Sequence, residues 1–145
     1  MKKKIIITAS VFGMLAVVAG AFGAHGLEGS LTLKNMEVWH TAVQYQFYHV
    51  FALLFLATLT RGRSRLINDC YYLFSLGIIF FSGSLYLLSC RDMLGWSWLP
   101  LIGPGTPIGG LLFIGGWVTL GIAALRNKLG GTVSRTSGTS KNLKN

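Results

Sequence analysis

The chain has 145 residues, of which 52% are apolar and 12% charged, and its 13 basic and 4 acidic side chains give a net charge of +9. A soluble domain of this length would have few places to hide so much apolar surface, so the expected solvent is a bilayer, and four apolar stretches with their connections leave no room for a separate soluble catalytic domain. The positive charge forms no basic stripe interleaved with aromatic residues, which argues against nucleic acid as a partner.

The apolar stretches run over about 5–27, 38–59, 66–90 and 107–125, each close to the ~20 residues needed to cross ~30 Å of hydrocarbon. The expected fold is all-α, a four-helix transmembrane bundle in residues 1–128, with 129–145 as a disordered tail rich in Gly, Ser, Thr, Lys and Asn,. Lys2, Lys3 and Lys4 precede the first stretch, Arg61, Arg63 and Arg65 separate the second from the third, and Arg126 and Lys128 follow the fourth. Threading puts these groups on one side, so the N-terminus and C-terminus are both expected in the cytoplasm, with 28–37 and 91–106 outside. Lys34 and Arg91 are the two basic residues left on the outer side.

In the first span Ala9, Gly13, Ala16, Gly20 and Gly23 or Ala24 recur at spacings of three and four, lining one face with residues that let another helix approach closely,. Its start also matches a secretory signal with Ala19-Gly20-Ala21 as a cleavage site. The apolar run continues past that point toward Gly26, so an uncleaved span is expected, with Gly23-Ala24-His25-Gly26 ending the helix,.

The second span is the most polar, with His40, Thr41, Gln44, Tyr45, Gln46, Tyr48 and His49 in its outer half. At 100° per residue, Val43, Phe47, Val50 and Leu54 form one apolar stripe expected to meet lipid, while Thr41, Tyr45, His49 and Ala52 mark a face toward protein. In the third span Arg65 and Asp69 are spaced for a cytoplasmic ion pair. Above them Ser75, Ser82, Gly83, Tyr86 and Ser89 form an interior strip, opposite a lipid-compatible face of Phe74, Ile78, Phe81 and Leu85,. The loop that follows holds Trp96, Trp98, Pro100, Gly103, Pro104 and Gly105, suited to the membrane interface,. Thr106-Pro107 then reads as the capped start of the fourth span, with Gly109-Gly110 and Gly115-Gly116 for close packing,.

His49 lies about eleven residues into the second span, roughly 16 Å deep, where a charged imidazolium is costly. It is expected neutral and hydrogen-bonded, to Gln46 one turn away or to Tyr86 across the bundle, with a proton relay or ligand contact as the functional alternative. A metal site needs at least three ligands around one ion. His25 and His40 sit near the outer surface, whereas His49 is about 13 Å deeper than His40 on another face, so no metal and no cofactor is expected. No acidic residue falls in mid-span, as a small multidrug antiporter requires, and no acid orients His49 toward a nucleophile, so an enzyme is disfavoured. Cys70 and Cys90, at opposite ends of one helix about 30 Å apart, cannot pair with each other.

Gly20-Ala21-Phe22-Gly23-Ala24-His25-Gly26, then Thr41-Ala42, Tyr45-Gln46 and His49, then Phe81-Ser82-Gly83-Ser84-Leu85-Tyr86, then Thr106-Pro107-Ile108-Gly109-Gly110 and Gly116-Trp117 stand in this order. Together they resemble the bacterial membrane family called domain of unknown function 423, over nearly the whole chain apart from the tail. The resemblance implies a small four-helix protein of the inner membrane, without an established activity and related to a mitochondrial transmembrane protein of animals. It points to His25, Tyr45, Gln46, His49, Ser82, Ser84 and Tyr86 as the polar set. His40 and the 93–105 segment match less well. The expected protein is therefore a multi-pass, non-enzymatic membrane protein in which this polar layer specifies packing or binds a partner, a lipid or a second copy. The competing expectation is an oligomer that passes a small solute or protons.

Overall fold

A computed structural model describes residues 1–59, 65–95 and 104–126. These form α1 (Lys2–His25), α2 (Leu33–Thr58), α3 (Arg65–Ser89), the short α4 (Arg91–Leu94) and α5 (Gly105–Arg126), with no strand among the described residues. Arg61, Arg63, Trp96, Trp98, Pro100, Gly103, Lys128 and the tail at 129–145 lie outside them.

Each long helix lies within a few residues of an apolar stretch, and the largest difference has a local cause. The second helix starts five residues before the stretch at 38, because Thr32 stays extended and its hydroxyl accepts from Asn35 N–H at 3.2 Å, satisfying one of the free amides of the first turn. As expected, α1 stops at His25, where Gly26 N–H turns back to Phe22 O at 2.7 Å. The four-residue α4, which periodicity did not signal, ends at Gly95 with φ +63°, a left-handed conformation that glycine adopts without a Cβ clash.

Three of the helices, α1, α3 and α5, are long and apolar enough to cross a membrane. The 26-residue α2 has the length but is more polar, with Lys34, Glu37, His40, Gln44, Gln46 and His49 along it, so composition supports three spans directly rather than four.

Packing follows chain order: α1 lies on α2, α2 on α3 and α3 most extensively on α5. The small-residue face of α1 does receive a helix, and the knobs that fill it come from the stripe of α2 expected to face lipid. A Cβ added to Gly13 would lie 3.4 Å from Val50, and one on Gly20 3.7 Å from Val43. Val50 is accordingly buried and Val43 half-buried, while Leu54, farther along that stripe, remains exposed. Bulk opposite a glycine gains more contact than bulk opposite mobile lipid tails.

The same correction applies to α3. Phe74 and Ile78 are buried and Phe81 packs against the core, because α5 covers that face. Here rings sit on glycines in both directions: Phe113 of α5 against Gly77, Phe74 against Gly116, and the Phe81 backbone against Gly109. Leu76, Ile79 and Phe80 point outward instead. At the opposite end of α3 the anticipated Arg65–Asp69 pair does not form, the ion pair among the described residues being Arg91–Asp92. There α1 is held by side chains: Thr8 and Tyr71 share a hydrogen bond of 3.0 Å, and Lys4 reaches Tyr72 Oη at 3.2 Å.

At the other end, Asn35 Nδ2 donates to Asp92 Oδ2 at 2.9 Å and Arg91 Nε to Asp92 Oδ1 at 3.3 Å, tying α4 to the first turn of α2. These donors, the Asn35 amide first, hold the Asp92 carboxyl below its ordinary range,. A folded value below the unfolded one means the tie is complete above the unfolded pKa and fades as pH falls through the lowered one. Asn35→Ala should therefore move the Asp92 titration upward, read by carboxyl-carbon NMR, and an unchanged midpoint would contradict the tie.

The glycine seats make a sharper prediction. Gly109→Ala forces a Cβ into the Phe81 backbone and should destabilise the protein in detergent by about 1–3 kcal/mol. On the same helix, Gly121 has nothing within 4 Å of an added Cβ, so Gly121→Ala should leave the melting temperature unchanged or slightly raised. Equal effects of the two substitutions in parallel melts would rule out the interlock.

Candidate functional site

The polar layer divides into two clusters on different faces of α2. The first lies on the stripe that meets α1, where Trp39, Val43, Gln46, Val50 and Leu53 recur at helical spacing,. Gln46 is only 4% exposed, and a buried amide needs partners for both ends. Its Nε2 donates to Phe12 O in the middle of α1 at 2.8 Å, and its Oε1 accepts from Tyr86 Oη of α3 at 2.9 Å. One side chain thereby joins three helices.

Two turns earlier, Trp39 Nε1 donates to Ala19 O of α1 at 2.9 Å. Its ring lies over Gly23, where any side chain would collide with it, and at 4.6 Å from the Tyr86 ring. Trp39 was not among the residues expected in the site. Its spacing of seven before Gln46 was a usable signal, masked because tryptophan near a helix start also suits the membrane interface.

The second cluster surrounds His49, which is 4% exposed. Its Nδ1 lies 2.8 Å from the Tyr45 carbonyl one turn back, and a carbonyl partner assigns the proton to Nδ1. The partner is thus the backbone of its own helix and not Gln46 or Tyr86. The ring stacks on Phe113 of α5 at 3.4 Å and 7°, with Phe74 at 5.6 Å and Trp117 at 6.2 Å. Tyr45 is 39% exposed and lies against Phe81 at 4.6 Å, closing the cluster on its outer side. Among the described residues Nε2 of His49 has no hydrogen-bond partner, nor have the buried hydroxyls of Ser75 and Ser82.

Ser84 takes a third place. Its hydroxyl donates to Phe81 O at 2.9 Å, so the 2.7 Å contact with Thr106 is filled by the Thr106 proton,. Thr106 was expected to cap the fourth span. It lies inside the first turn of α5 and fixes that turn to α3. His25 is exposed at the end of α1, as is His40 on α2, so the three histidines do not converge, and no group of three or more His, Cys, Asp or Glu among the described residues could hold a metal ion. Both cysteines are free, and Cys70 Sγ lies 3.7 Å from Gly116 O across the α3–α5 seam.

Of the seven expected polar residues, the structure thus joins Gln46 to Tyr86 and Tyr45 to His49, pairs Ser84 with Thr106, leaves Ser82 buried without a partner among the described residues and sets His25 apart. Carbonyl and aromatic contacts dominate this arrangement, and among the described residues no nucleophile is held by a base and no carboxylate enters it.

Apolar helices of spanning length around an internally bonded polar layer define a membrane protein. The chain belongs to the family described as "Protein of unknown function (DUF423)", which it matches over residues 19–110. It is 44% identical over 124 residues to a UPF0382 membrane protein of Staphylococcus epidermidis, covering 86% of this chain and 97% of that one. It is also 41% identical over 127 residues to the UPF0382 membrane protein YwdK of Bacillus subtilis, covering 86% and 98%. No solved structure matches it.

The Gln46 bridge can be dissected by a double-mutant cycle. Gln46→Leu strands the Tyr86 hydroxyl, and Tyr86→Phe strands the Gln46 carbonyl oxygen, each lowering stability by about 1 kcal/mol. The double variant strands neither and should be less destabilised than the sum. Strict additivity in detergent melts would show that the two side chains are not coupled.

Proposed function

We propose that this chain is a non-enzymatic, four-span protein of the bacterial inner membrane, with both termini in the cytoplasm, whose polar layer specifies how its helices assemble and which engages a lipid or protein partner. The observation that carries this is Gln46, bonded at once to Phe12 O and Tyr86 Oη: a polar group whose nitrogen and oxygen both bond to neighbouring helices serves packing. For α2 as the fourth span, the support is that Trp39, Gln46 and His49 all turn their N–H groups to protein acceptors, which lowers the penalty of carrying them through hydrocarbon,. A retained first span is supported by Ile5 and Ala9 in the core and by the bonds that Phe12 and Ala19 receive.

One observation favours the alternative of an oligomer that passes a small solute or protons. His49 Nε2, Ser75 Oγ and Ser82 Oγ are buried without partners among the described residues, and intramembrane polar groups often line pathways. The two functions separate on reconstitution. His49→Leu and Gln46→Leu are expected to change the melting temperature and the assembly in detergent, with no proton or solute flux in wild-type liposomes for either to abolish. A wild-type flux that both substitutions remove while stability holds would defeat the packing role.

A further inference from the structure

A cleft of about 410 Å³ opens between the first turns of α2 and the end of α3 with α4. It is built in two levels. Val38, Leu85 and Leu88 give it an apolar floor, and Lys34 and Arg91 stand on its rim with Asn35 and Asp92. Those are the two basic residues left on the outer side when every other lysine and arginine is threaded to the cytoplasm. Two cations kept where orientation does not call for them have another task to explain them.

Their chemistry is that of an anion site. Arg91 donates Nε to Asp92, leaving its terminal nitrogens unbonded among the described residues, and Lys34 has no ion-pair partner among them. Asp92 also lines the cleft, and both its oxygens are engaged, Oδ2 by Asn35 and Oδ1 by Arg91. Two cations against one carboxylate leave the rim with one net positive charge, the sign that suits phosphate,.

The surroundings select the source of that phosphate. Leu33, next to Lys34, is 88% exposed, and Met93 and Leu94, next to Arg91 and Asp92, are exposed as well. Apolar side chains exposed beside cations suit the headgroup boundary of a bilayer, where chains lie below and phosphates above. A soluble anion would leave these side chains and the apolar floor facing water.

We propose that this cleft binds an anionic phospholipid of the outer leaflet, its phosphate between Lys34 and Arg91 and the upper part of an acyl chain over Val38, Leu85 and Leu88. The proposal rests on the four-span orientation above and gives its lipid partner a site and a chemical class. A volume near 410 Å³ falls in the ~300–1,000 Å³ range of small-ligand sites, room for a headgroup and the methylenes nearest it.

The test is lipid retention by the full chain purified in detergent, read by native mass spectrometry and by thermal shift. The probes are phosphatidylglycerol, phosphatidylcholine, glycerol 3-phosphate and inorganic phosphate. Phosphatidylglycerol should bind and stabilise the wild type more than phosphatidylcholine, with little effect from either soluble phosphate. Lys34→Gln with Arg91→Gln should weaken phosphatidylglycerol binding by roughly tenfold or more, and the charge-keeping pair Lys34→Arg with Arg91→Lys should restore most of it. Lys34→Glu, at an exposed position where folding is not at stake, should lose it too. Undiminished binding by the Gln and Glu variants would overturn the site, and equal stabilisation by inorganic phosphate would overturn the lipid in favour of a soluble anion. Orientation is read separately: Ser30→Cys in a Cys70→Ala, Cys90→Ala background should react with an impermeant maleimide in intact cells. Labelling only after permeabilisation would overturn the outer-leaflet placement and the orientation beneath it, while the detergent titration alone decides the cleft.

Discussion

The seating of large side chains on glycine is the constraint from which the other contacts follow. Hydrocarbon gives two apolar helices little reason to prefer each other over lipid, so association depends on how closely their backbones can approach. Here Val43, Val50 and Trp39 of α2 fall on Gly20, Gly13 and Gly23 of α1, while Phe74, Phe81 and Phe113 meet Gly116, Gly109 and Gly77 across the α3–α5 seam. Each such pair admits one rotation and one axial register. Once α1 and α2 are seated, the Phe12 carbonyl comes within reach of Gln46. Once α3 and α5 are seated, Phe113 offers its face to His49.

The polar layer adds direction to this shape. Trp39 and Gln46 donate to α1 carbonyls two turns apart, at Ala19 and Phe12. Carbonyls in a helix already accept one bond from their own chain and have a second lone pair free, so the approach of another helix satisfies a donor without breaking anything. Slipping α1 by one residue would remove both acceptors together. The Gln46–Tyr86 bond extends the same register to α3. Ser84 and Thr106 extend it from α3 to α5.

The positions of the four long helices were legible in the sequence because apolar runs of membrane length have few other uses, and the small-residue face of α1 was legible because its spacing suits only close approach. Which face of α2 met it was not. Val43 and Val50 are as compatible with lipid as with a helix, so the rule that apolar faces point inward loses its power in a bilayer, and the same ambiguity misplaced Phe74 and Ile78. Gln46, Tyr86 and His49 stood out as polar residues in apolar surroundings. Their partners did not: two of the acceptors, at Phe12 and Tyr45, are backbone carbonyls, which every residue possesses and no side-chain pattern marks. The pairing of Ser84 with Thr106 was hidden for a related reason, since Thr106 also satisfied the pattern of a helix cap.

The polarity of α2 now has a physical explanation that its composition conceals. Hydropathy scores Trp39, Gln46 and His49 as though each faced the solvent, whereas all three are buried and donate to carbonyls. The polar side chains of α2 that remain exposed include Glu37, His40 and Gln44, which fall in its first half, toward the Lys34 and Arg91 rim. As the fourth span proposed above, such a helix would present hydrocarbon with Phe51, Leu54 and Phe55 at one end and keep most of its polar groups either at the boundary or turned into the protein. Such a span would depend on its neighbours for entry. Outside the company of α1 and α3 its amide and indole donors would meet lipid, so α2, if it spans as proposed above, would do so only as part of the assembled set.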